Sequence, residues 1–261
     1  MTGFTFTAAM IASVTIATTA LLAQQSSPSQ DWTELTSRLE RAALRGVGRE
    51  NRTIRTELLR RLTQPSAKAD TLLVQYTLAY LGYRMANMPD VTEREQSDLL
   101  DDAIDRLQEV LEADPKHAEA HALLGSVYGV QAGRSPLKAM FLGPRASAAL
   151  DRASNLEGSN PRVVLLEGIG AFNTPAMFGG SVEKAERLLR QSLDLFGREP
   201  ATKPWPNWGR FDAHVWLGQA LVDKGDRAGA RAEYDKALAI APDSGWVRFA
   251  LMPALEKPVK R

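Results

Sequence analysis

The chain has no cysteine. That excludes disulfides, thiolate metal sites, a cysteine nucleophile and a lipidated N-terminal cysteine. An excess of one charge is missing too: 32 Lys and Arg stand against 31 Asp and Glu, a formal net charge of +1. Nucleic-acid binding usually leaves a basic footprint, and there is none here, so no nucleic-acid partner is expected. Catalytic signatures are equally absent. The serines form no nucleophile elbow, the glycines no Walker pattern, and acidic pairs such as Asp101-Asp102 fall on the water side of amphipathic helices. No cofactor is implied, and no enzyme. What remains is a chain with 44% hydrophobic and 24% charged residues, the balance of a folded soluble protein long enough for a substantial core.

The first 30 residues have no charged side chain. Ala8 to Ala23 is a short apolar run rich in alanine, isoleucine, leucine and threonine, followed by QQSSPSQ. This reads as a secretory signal over 1–23, cleaved after Ala23, with a linker over 24–30 and a periplasmic or secreted mature protein. Phe4 to Ala23 also approaches the ~20 residues of a membrane span, so an uncleaved N-terminal anchor is the alternative. No other membrane association is expected.

The positive signal is strongest from Phe211 to Pro242. Ala213, Leu217, Ala220 and Leu221 make one apolar stripe at helical spacing, with Gly218 beside it for close helix approach. Gly225-Asp226 supplies a C-cap and an N-cap. Ala230, Tyr234, Ala237, Leu238 and Ala241 repeat the stripe, and Pro242 ends it. Such a pair cannot bury both its faces alone and requires neighbours.

This stretch resembles a tetratricopeptide repeat, a unit of ~34 residues closed by proline. Leu217, Gly218, Ala230, Tyr234, Ala237 and Pro242 match its signature in register, with His214 and Leu221 standing where tryptophan and tyrosine are common. Looser copies precede it. Leu81-Gly82 with Ala103, Leu107, Val110 and Pro115 forms one, and Thr92 with Glu95 reads as a capping box. Leu124, Gly125 and Tyr128 begin another, followed by a long loop over 134–144 and a helix from about Arg145. Asn160-Pro161 opens a helix that stops near Asn173, and its partner starts at Ser181. An N-terminal pair begins at Asp31 and continues from about Arg52, where the arginines at 52, 55, 60 and 61 form a solvated face. Trp246, Phe249, Ala250 and Leu255 suggest a capping helix interrupted at Pro253. The expected fold is therefore all-α: a right-handed tetratricopeptide-like superhelix, an α-solenoid of four to five helix pairs. Its divisions are a helix pair over 31–66, a repeat domain with cap over 67–255, and a tail over 256–261. NPR at 160–162, TPAMFGG at 174–180 and PNWG at 206–209 further resemble a family of exported bacterial tetratricopeptide proteins.

Two local patterns carry possible chemistry and weigh against it. His117 and His121 have the i, i+4 spacing of metal ligands, but Ala118 stands where a zinc protease needs glutamate, and no third ligand is visible. The Gly179-Gly180 pair before a helix lacks a preceding strand, so it reads as a tight turn. The loop over 203–210 is more suggestive, because tryptophan and arginine commonly anchor interfaces. The expected binding surface therefore joins Phe172 and Asn173 to Trp205, Trp208 and Arg210, with Trp208 the more buried indole. The inner positions Glu119, Ala122, Ser126, Val215, Gln219 and Val222 provide no basic clamp, so a partner's free C-terminus is not required. The implied function is an exported scaffold or adaptor that holds a protein or extended peptide in its groove and rim loops. The alternative is a periplasmic small-molecule receptor associated with a transporter, which calls for a deep enclosed cavity.

Overall fold

A computed structural model describes residues 28–46, 48–64, 68–200 and 202–257. The signal expected over 1–23 lies outside them. The described residues form eleven helices and no strand. Ten are paired: α1 (Pro28–Arg45) with α2 (Gly48–Leu62), α3 (Lys68–Met85) with α4 (Glu93–Ala113), α5 (Ala118–Ala132) with α6 (Pro136–Glu157), α7 (Pro161–Asn173) with α8 (Val182–Arg198), and α9 (Arg210–Asp223) with α10 (Arg227–Ile240). A cap follows, π-helical over Val247–Leu251 and continuing as α11 (Met252–Ala254). Five pairs stacked in order make the all-α solenoid that the stripes imply.

The helix ends follow local chemistry. Thr92 caps α4 by accepting from the Glu95 amide at 3.2 Å, while the Glu95 carboxylate receives Arg52 instead of closing the box. Asn160 caps α7 with Pro161 in its first turn, and Ser181 caps α8. Gly46 and Gly225 close α1 and α9 with positive φ. α1 already begins at Pro28, inside the segment expected as linker, and α2 begins at Gly48, four residues before Arg52. The arginines of α2 are less solvated than expected. Arg52 pairs with Asp90 and Glu95, and Arg55 with Asp102, which ties α2 to α4.

One connection differs from the sequence reading. The segment 134–144 is not a swollen loop. Ser135 caps a helix by accepting from the Lys138 amide, Pro136 takes the first turn, and α6 runs through Gly143-Pro144 to Glu157. Pro144 has no N–H for the carbonyl of Met140, yet the helix continues because the inward stripe Leu142, Ala146, Leu150 and Ala153 packs on the core. The connector between α5 and α6 is therefore only three residues long. Between first and second helices, glycine permits contact closer than any Cβ allows: at Gly218 that atom would stand 2.3 Å from the Tyr234 ring. One continuous core extends from Leu35 to Leu255.

Candidate functional site

The concave side of the stack is built from first helices. α3 contributes Tyr76, Thr77, Tyr80, Tyr83 and Arg84, α5 contributes Glu119, α7 Arg162 and α9 Asp212. Across these lie residues 202–209, which lead into α9. Trp205 and Trp208 point inward from this segment and are 8% and 2% exposed. The Trp205 indole donates to Thr77 Oγ1 at 2.9 Å and meets Tyr80 edge-on, at 5.6 Å between centroids. The Trp208 indole donates to the Tyr76 hydroxyl at 3.2 Å and stacks on Tyr80 at 4.5 Å. The chain's own loop thus fills the groove and fastens the last repeats to the second pair.

Charges complete the fastening. Arg162 is fully buried and makes a two-pronged contact with Glu199, at 2.7 and 3.0 Å, with Glu119 at 3.6 Å. Its guanidinium also lies over the rings of Phe196 and Trp208. Burial opposes its charge, but Glu199 and Glu119 outweigh that and raise its pKa. Arg84 reaches from α3 to Asp212 on α9. Lys203 donates to the Pro206 carbonyl at 2.6 Å, and burial beside Arg162 lowers its pKa. Burial pushes Tyr83 up to about 12 and Tyr80 higher still, so both phenols are neutral. Glu40 of α1 is raised by burial first and by Asp212 second. Each of these interior cations already has a carboxylate or carbonyl, and the arrangement clamps a loop.

The residues expected to form one binding surface are separated. Trp205 and Trp208 are both interior, whereas the sequence points to Trp208 alone as buried. Arg210, exposed at the start of α9, donates to the Phe196 carbonyl. Phe172 and Asn173 sit at the opposite end of α7. There Phe172 packs edge-on against Trp216, and Asn173 donates to the Ile169 carbonyl. The two loops emerge on opposite rims because one follows a first helix and the other a second helix. Of the inner positions, Glu119 is occupied by Arg162, Asn160 and Tyr76. The sequence reading missed Arg162, Tyr76, Thr77 and Tyr80; NPR at 160–162 flagged the first without indicating its partner.

The histidines have local tasks. His117 caps α5 through Nδ1 and stacks on Tyr76, His121 contacts the Pro115 carbonyl, and His214 Nδ1 meets Glu233 at 2.7 Å. Among the described residues no group of three or more His, Cys, Asp or Glu is arranged for a metal. The 174–180 turn makes glycine obligatory at 180, since a Cβ there would fall 1.6 Å from the Thr174 carbonyl oxygen. The depression on α8 beside Lys224 and the one between α2 and α4 are open and lined largely by charged and polar side chains. No helix among the described residues is long and apolar enough to cross a membrane.

Stacked helix pairs with small residues at their contacts and a concave inner side define an α-solenoid. Two stretches match the tetratricopeptide repeat: residues 92–136, covering α4 and α5, and residues 211–244, covering α9 and α10. The chain thus carries tetratricopeptide repeats over these two stretches. Among curated proteins none matches it. A thermophilic tetratricopeptide repeat protein of Thermus thermophilus shares the fold at a TM-score of 0.54 and 20% identity, over 84% of this chain and all of that one. MamA of Desulfovibrio magneticus reaches a TM-score of 0.37 at 18% identity, over 74% of this chain and 93% of its own. The assembly chaperone of RpL4, Acl4, reaches 0.42 at 17%, over 84% and 86%.

Proposed function

We propose that the protein is an exported interaction scaffold, not an enzyme, which receives a protein or peptide partner on its concave side. The supporting observation is the clamped loop. Its indoles face inward, while Pro204, Asn207 and Arg210 are exposed on its other side. A loop held by buried aromatic anchors is preorganised, so little ordering entropy is lost when a partner settles on it. The indoles hold the loop, and the loop's outer face forms the floor of the binding surface. Arg84, Arg162 and Lys203 are already engaged, so no clamp remains for a free C-terminal carboxylate. Nothing among the described residues favours the small-molecule alternative, which needs an enclosed cavity.

The test places a photo-cross-linking amino acid at Asn207 and, as control, at Asp151 on the exposed face of α6, in the native compartment. A discrete protein adduct from Asn207 alone is expected. Adducts from Asp151 but not Asn207 would move the interface away from the groove. A chain fully recovered from the cytoplasm would remove the export part of the proposal.

A further inference from the structure

Nine large apolar side chains among the described residues are substantially exposed, and five of them come from two neighbouring turns. Leu137, Met140 and Phe141 are 65, 63 and 62% exposed in the first turns of α6. Met177 and Phe178 are 82 and 67% exposed in the short 3-10 helix Ala176–Phe178 between α7 and α8. The two turns share a rim. Asn160 and Arg162, at the start of α7, reach Glu119 at the start of α5, so these first helices run parallel and their C-terminal ends fall on the same edge. Val222, 37% exposed at the end of α9, extends that edge. At such exposures the side chains stand out from the surface instead of lining a groove.

The charge nearest the first turn along the chain is cationic, while Glu183 follows the second turn and Asp223 follows Val222. Between Glu119 and Asp151 the chain carries three cations, Arg134, Lys138 and Arg145, and no acid, and residues 168–182 carry no charge. The Glu183 carboxylate accepts from Ser181. Arg134 donates to the Glu93 carbonyl. Lys138 and Arg145 are seven residues apart, two turns of helix, and so flank the same side of the apolar face. Neither has a carboxylate partner among the described residues. Protruding apolar side chains flanked by unpaired cations match the interface of a bilayer with anionic headgroups, where apolar tips enter the acyl boundary and cations meet phosphates.

We infer that this rim docks on an anionic lipid surface. This goes beyond the scaffold reading and beyond the sequence expectation of no membrane contact outside the N-terminus. It uses a different edge from the groove, so a partner and a membrane can be held together. Vesicles of phosphatidylcholine with 30% phosphatidylglycerol, and of phosphatidylcholine alone, provide the probe in a sedimentation assay with the full chain. Wild type is compared with Met140→Glu/Phe141→Glu, Met177→Glu, Lys138→Gln, and Phe249→Glu as control on the C-terminal cap. Preferential binding to the anionic vesicles is expected. It should weaken at least tenfold in the double variant, a few-fold in Lys138→Gln and in raised salt, and not at all in the control. Circular dichroism checks that all variants fold. Equal binding of the double variant and wild type overturns the inference, as does lipid-independent self-association abolished by the same pair. Loss of the Asn207 cross-link with vesicle binding intact would remove the scaffold reading alone.

Discussion

At the scale of single residues, the interior charges have the largest consequences. Arg162 satisfies two glutamates from inside the core, so truncating it leaves the buried Glu119 without a cation and Glu199 with only Lys203 at 3.8 Å. Arg162→Ala should cost about 3–5 kcal/mol of unfolding free energy in urea titration. Lysine should rescue little of that, since it lacks the planar fork that meets both Glu199 oxygens. Glu40 has the opposite sign. Its pKa is raised above 4.5 by burial and then by Asp212, so its ionised form is disfavoured in the folded state. The penalty is present above the folded pKa and vanishes as pH falls below 4.5. Glu40→Gln should therefore raise the melting temperature at about pH 7 and leave it nearly unchanged at about pH 4. Neither role is legible in the sequence, because Glu199 lies 37 residues from Arg162 and Asp212 far beyond Glu40, and helical periodicity reports only which face is inward.

At the scale of elements, the start of α6 and the aromatic loop show what local sequence reveals. Ser135-Pro136 is the same cap-and-proline signal as Asn160-Pro161, yet Gly143-Pro144 further along reads as a stop. Tertiary packing of Leu142, Ala146 and Leu150 overrides the stop. The Pro175–Gly180 turn is legible as a tight turn, and its tightness sets a test. Gly180→Ala must displace the Thr174 backbone oxygen, and a loss of about 1–3 kcal/mol at unchanged urea m-value is expected. The loop over 202–209 is legible as unusual but not as interior, because its receptor residues lie on α3. Trp205→Ala should destabilise by about 3–5 kcal/mol, as much as Trp208→Ala. Thr77→Val, which leaves the Trp205 indole N–H unpaired, should cost about 1–3 kcal/mol. A Trp205→Ala protein that melts like wild type would show that the loop is not held as described.

At the scale of the whole molecule, a repeat array normally gains its stability from neighbours alone and can lose its ends one unit at a time. Here Trp205 to Thr77 and Arg84 to Asp212 each join residues 128 apart. Unfolding should therefore be a single transition, with tryptophan fluorescence and far-ultraviolet circular dichroism coincident in urea, and the double variant Trp205→Ala/Trp208→Ala should separate the two curves. The same tie has a consequence for biosynthesis. Chains emerge N-terminus first, and domains generally begin to fold in that order. A nascent chain ending at Arg198 has its first four helix pairs but not the segment that covers Tyr76, Thr77 and Tyr80. Until that segment has been made, the protein carries an open aromatic slot, available to chaperones and to misplaced tryptophans alike, and synthesis of Trp205 and Trp208 is the event that closes it.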